Sequence, residues 1–243
     1  MSETELRAAL ADDLAGLARL HDREVDRDLV DALVDVGFPD NFALLPSDDV
    51  RSAMRAAMTG LRACGSDWHD DLAADFAGIY LNGACGASPY ESVWLTDEHL
   101  TCQLPMFELR ALYQAAGLTV DDWRKRYDDH FVLQFQYLAH CLRDPSVSLE
   151  RIGALLDEHV GHWYGDFAQA IAQRAGTDFY RALAVLTQDW LEAFRGAIED
   201  VSGITRTPRA EMSERIRKKL ALASGELAPV KFVPGGGADR PSW

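Results

Sequence analysis

The chain has no uninterrupted apolar stretch long enough to cross a bilayer, which argues against a membrane-spanning helix. It is also poor in positive charge. Its 24 Lys and Arg stand against 39 Asp and Glu, a formal charge of -15, which disfavours nucleic acid and anionic membranes as partners and favours cationic ones. Four cysteines, Cys64, Cys85, Cys102 and Cys141, stand too far apart for a zinc knuckle or a dense disulfide framework and fit reduced thiols. Sustained strand alternation and repeats of fixed period are missing as well. The first residues, "MSETELRAALADDLAGLARL", lack the basic start and continuous apolar core of an export signal, so a cytoplasmic location is expected.

What the sequence does have is helical spacing. Leu6, Leu10, Leu14 and Leu17 follow a Ser2/Glu5 capping box, and a second helix is expected from Asp26 to about Val36. After the turn "GFPDN", Ser47 precedes a helix with Val50, Met54, Met58 and Leu61 inward, and the next runs roughly from Asp67 to Leu81. "NGACGASPYESVWLTDEH" breaks the period and reads as an ordered loop. Helical spacing resumes near Phe107, ends at Gly117, and returns from about Ser148 to Ala175 and from Thr177 to Asp200. The expected fold is all-α, a single-domain helical bundle over residues 1–205. Residues 206–243 would form a loosely attached basic helix and a Gly/Pro-rich tail, "PGGGADRPSW".

One segment concentrates chemistry: "YDDHFVLQFQYLAH", residues 127–140. Asp128 is placed to be an N-cap and Asp129 to lie in the first helical turn, while Phe131, Phe135, Leu138 and Leu142 form a buried stripe. His130 and His140 fall on different faces, and no ligand set completes a metal site. An Asp129/His130 acid-base pair is conceivable, but no nucleophile motif accompanies it. His159, His162 and Asp166 share a helical face, where packing beside Trp163 and Phe167 is the simpler role. "GACGASP" lacks the lysine and preceding strand of a phosphate loop. Tyr90 and Trp94 either wall a pocket for an apolar side chain or anchor their loop.

Five blocks in order, "SPYESVWL", "FELRALYQAAGL", "DDHFVLQFQYLAH", "LLDEHVGHWYGDF" and "DFYRALAVLTQDWL", resemble the TorD/DmsD/NarJ family of molybdoenzyme maturation chaperones over about residues 67–200. The resemblance implies a helical, non-enzymatic chaperone, monomeric or a swapped dimer. Its expected partner is the twin-arginine leader, and the body, of a molybdopterin-dependent oxidoreductase subunit. The molybdenum cofactor belongs to that client, and no motif supports a guanine nucleotide. Site residues implied are Asp129 and His130 with Asp128, then Tyr90, Glu91 and Ser92 of the loop, and the stripe Phe76, Ile79 and Tyr80. Asp128, Asp129 and Glu91 would line a pocket rim for the leader arginines. Arg126 and Tyr127 stand where the family often has Glu-Pro.

Overall fold

The computed structural model describes residues 2–63, 68–122 and 124–226. Cys64 and the tail "PGGGADRPSW" lie outside the described residues. Within them, eleven α-helices and no strand are present, as the spacing predicts: α1 (Glu3–Asp22), α2 (Arg27–Asp35), α3 (Asp48–Ala63), α4 (Trp68–Phe76), α5 (Glu91–Leu95), α6 (Leu104–Ala115), α7 (Phe131–Arg143), α8 (Leu149–Glu158), α9 (Val160–Arg174), α10 (Asp178–Ser202) and α11 (Arg209–Glu226).

The helix ends follow local chemistry. The Ser2/Glu5 capping box closes α1, and the Asp26 side chain accepts from Leu29 N at 2.8 Å to start α2. After α6 the chain turns at Gly117, whose φ of 73° suits a residue without Cβ. Three expectations need correction. The helix after Trp68 leaves α geometry at Ala77 and finishes as a π turn over Ala77–Leu81. The long helix expected from Ser148 to Ala175 breaks at His159, which joins α8 to α9 with φ -116° and ψ -117°. A Cβ on Gly161 would fall 2.6 Å from the Leu156 carbonyl, so the break is built for glycine there. Finally, α11 is not loosely attached. It lies on α8 and α9, buries Met212 and Ile216, and pairs Lys219 with Glu108 at 2.7 Å and Arg209 with Asp166 at 2.7 Å.

Two pairings organise the core: α1 lies along α7, and α10 packs between α9 and α3. The stripe Phe131, Phe135, Leu138 and Leu142 is fully buried against Leu10, Leu14 and Leu17 of α1 and the aromatic cluster Tyr164, Phe167 and Tyr180. One polar device reinforces the first pairing. Arg7 of α1 is buried and donates to the carbonyls of Leu142 (3.1 Å), Asp144 (3.0 Å) and Val147, with Cys141 at 3.4 Å. These carbonyls lie at and just beyond the end of α7, and a guanidinium suits both their lone pairs and the negative end of the dipole. Arg7→Ala is expected to destabilise the fold by about 2–3 kcal/mol, since it leaves those acceptors without their charged donor. Urea unfolding measures this, and a loss below about 0.5 kcal/mol contradicts it.

Candidate functional site

The loop before α5 meets the start of α7 in a small two-way junction. Tyr90 and His130 form an isolated antiparallel bridge; Phe131 N donates to Pro89 O at 3.0 Å and Glu91 N to Asp129 O at 3.2 Å. Asp129 Oδ2 accepts from Ser92 N at 2.9 Å, and Gln134 Nε2 donates to the Asp129 carbonyl at 3.0 Å. Ser92 Oγ in turn accepts from Gln103 N at 3.3 Å, which sets the start of α6. Five of the residues named from the sequence therefore form one unit: Tyr90, Glu91, Ser92, Asp129 and His130.

Their roles differ from those expected. The α7 N-cap is His130, whose Nδ1 accepts from Val132 N at 3.2 Å; neither Asp128 nor Asp129 caps the helix. Asp129 is 0% exposed and Glu91 1%, so neither carboxylate lines a rim. Asp128 is also buried and is held by Arg110 of α6 through Nη2 at 2.8 Å and Nε at 3.2 Å, while its carbonyl accepts from the Tyr113 hydroxyl. The sequence-derived rim fails because these acids sit below the surface, where an apolar environment forces carboxylates onto internal donors. Burial raises the Asp129 carboxyl above its ordinary range, with the Ser92 bonds opposing and the nearby Glu91 charge adding to the rise. Its Oδ1, with Glu91 Oε2 and Gln134 Oε1, has no hydrogen-bond partner among the described residues.

Glu91 also joins two sequence blocks. Its Oε1 pairs with His159 Nδ1 at 2.9 Å, at the break between α8 and α9. Burial alone would lower the His159 pKa, but the Glu91 charge and hydrogen bond override it, and the imidazole is raised above its ordinary value. The histidine face read from the sequence is thus divided: His159 serves Glu91, His162 meets Ser213 at 3.2 Å, and Asp166 holds Arg209. No group of three or more metal-binding side chains occurs among the described residues. The turn "GACGASP" is tied to α9, with Arg174 donating to Gly86 O at 2.9 Å. Trp94 anchors the loop, donating to Ser88 O at 2.7 Å and stacking on Trp163, whereas Tyr90 faces a cavity.

That cavity, about 540 Å³, lies between the π turn, the loop after α6 and the start of α7. Phe76, Tyr80, Tyr90 and His130, four of the residues named from the sequence, line it, whereas Ile79 points into the core. The sequence did not single out His21, nor the exposed acids Asp121 and Asp122 at the cavity, and it marked Arg126 only as a departure from the family's Glu-Pro. His21 is 1% exposed and bonds Tyr80 Oη at 2.6 Å and Thr187 Oγ1 at 2.9 Å, linking α1, the π turn and α10. A lone histidine near a helix end carries no motif, so only the fold reveals it. Burial lowers the His21 pKa to about 3. His130 is also pushed well below its usual value, first by burial and then by the Arg126 and His21 charges.

The profile of the nitrate reductase delta subunit family matches residues 47–169, about half of the chain, and the chain belongs to that family. The match starts nearer the N terminus than the five blocks do. Among curated relatives, the chaperone protein TorD of Shewanella loihica is 30% identical over 127 residues, covering 50% of this chain and 59% of that protein. The chaperone protein TorD of Vibrio cholerae serotype O1 is 26% identical over 141 residues, covering 54% and 64%, and the chaperone protein YcdY of Escherichia coli 26% over 132 residues, covering 54% and 67%. The matched part thus spans about three-fifths of the length of the first two relatives. The resemblance read from the blocks, to a family of maturation chaperones, is therefore shown.

Two outcomes follow from the burial. Asp129→Ala removes the acceptor of Ser92 N and is expected to cost about 2 kcal/mol of stability, whereas Asp129→Asn keeps an acceptor without the buried charge and should recover most of it. Equal losses in urea unfolding would contradict the junction role. For His21 the folded pKa lies below the unfolded value of about 6.5, so the stability it gives is full above that pH and is lost as pH falls toward 3. Between pH 7 and 5.5 the wild type should lose about 1 kcal/mol more than His21→Gln, and parallel pH profiles would contradict this.

Proposed function

We propose that this protein is a cytoplasmic chaperone for the catalytic subunit of a molybdopterin-dependent oxidoreductase of the dimethyl sulfoxide reductase superfamily. In this reading it binds the subunit's twin-arginine leader, assists cofactor insertion and holds back export until folding is complete. Family membership together with the cavity walled by Phe76, Tyr80, Tyr90 and His130 carries the reading. The relatives are named as chaperones rather than as enzymes.

A leader of this kind presents two guanidinium groups followed by an apolar stretch, so its receptor needs carboxylates beside an apolar surface. The aromatic walls receive the apolar stretch. The exposed acids at the cavity, Asp121 and Asp122, take over the guanidinium role first assigned to Asp128, Asp129 and Glu91, and those three hold the wall in place from behind. The charge of -15 draws a cationic leader over distance, an effect that salt weakens. No helix among the described residues is long and apolar enough to cross a membrane. The family's own description supports a second reading, assembly of a nitrate reductase retained in the cytoplasm, in which an N-terminal segment is gripped without export signalling.

Calorimetry with a peptide carrying the paired arginines and an apolar segment is expected to show micromolar or tighter binding. Replacing both arginines by alanine should weaken it about tenfold or more, the loss expected for charge-assisted hydrogen bonds. Equal affinity for the two peptides would sink the proposal.

A further inference from the structure

The cavity already has a guanidinium at its edge, and it comes from this chain. Arg126 lines the cavity, pairs through Nη1 with Asp22 Oδ1, and has Nη2 3.5 Å from the Asp22 carbonyl. Both side chains are about one-third exposed, at 34% and 37%, so the pair lies within reach of solvent and of any bound peptide. Its surroundings are the walls already described. The Arg126 charge acts on both Tyr90 and His130, whose rings lie 5.2 Å apart.

Asp22 stands where a carboxylate weakens its own helix. It is the last residue of α1, and the negative end of the helix dipole opposes an acid there. A cation offsets that repulsion, so the site favours a guanidinium from whatever source reaches it. Asp22 also follows His21, whose ring lines the cavity, so a guanidinium at Asp22 sits beside the aromatic walls.

We infer that Asp22 is an arginine acceptor of this cavity and that Arg126 is a tethered competitor for it. An arginine of a bound extended peptide takes Asp22 by displacing Arg126. The inference rests on the leader-binding reading and adds to it one acceptor, Asp22, and one residue that sets the affinity, Arg126. An ion pair about one-third exposed contributes about 0–1 kcal/mol, so apparent peptide affinity is lowered by at most about fivefold while the internal pair is formed.

Calorimetry on the full chain tests this with two peptides, one carrying paired arginines before an apolar segment and one with both arginines replaced by alanine. Arg126→Ala is expected to tighten the arginine peptide about two- to fivefold, and Asp22→Asn to weaken it. In the double variant the gain from Arg126→Ala should disappear, because the acceptor it uncovers is gone. Unchanged or weaker binding in Arg126→Ala overturns the inference while leaving the leader-binding reading intact, provided the wild type still distinguishes the peptides. A gain that survives in the double variant also overturns it, since Arg126 would then act by general repulsion rather than by occupying Asp22. A wild type that binds the two peptides equally overturns both readings. Should Arg126→Ala lose its helical circular dichroism, Asp22→Asn alone decides, and unchanged affinity there refutes the acceptor role.

Discussion

A buried loop must find partners for its own backbone, and here Asp129 supplies them. The Ser92 amide, the Glu91 amide and the Gln134 side chain all converge on this one residue, through its carboxylate and carbonyl. Together with the Phe131 N to Pro89 O bond these contacts fix residues 88–92 against α7, and three further placements depend on that position. Tyr90 faces the cavity, Glu91 reaches His159 at the α8–α9 break, and Trp94 stacks on Trp163. The acid-histidine pair thus behaves as a hinge pin: Asp129 holds the loop while His130 caps the helix that begins beside it.

The acidity of the chain is divided between two jobs. Buried acids are engaged internally, Asp128 with Arg110, Glu91 with His159 and Asp157 with Arg195 at 2.9 Å. Such pairs contribute little net stability over apolar packing, yet removing one partner strands the other, so they fix geometry more than they strengthen it. Exposed acids create a long-range negative field around the chain. Aromatic walls between the two sets give the cavity its shape.

Much of the fold was legible because helical periodicity and capping are local. Asp26 starting α2, Gly117 ending α6 and the Phe131–Leu142 stripe all follow from residues within a few positions of one another. The two errors in helix geometry have non-local causes. His159 leaves the helix at the point where its ring meets Glu91, 68 positions away, and the π turn at Ala77 places Tyr80 against His21, 59 positions away. The site was legible in part for the same reason. The blocks named Tyr90 and His130 separately, and the fold brings the two into contact; burial of Asp128 and Asp129 cannot be read from charge pattern, since a capping acid and an interior acid look alike in sequence. Asp22 belongs to no motif, and it meets Arg126 only because α1 ends beside the loop after α6.

The clasp of Arg7 on the end of α7 has a consequence for the order of events during synthesis. Arg7 and the Leu142 carbonyl are 135 positions apart, and the apolar face of α1 has its main counterpart in α7. As the chain leaves the ribosome, α1 emerges with its leucine stripe and its guanidinium long before either can be covered. Closure of so large a loop is entropically slow, so this part of the core forms only once α7 has also been made.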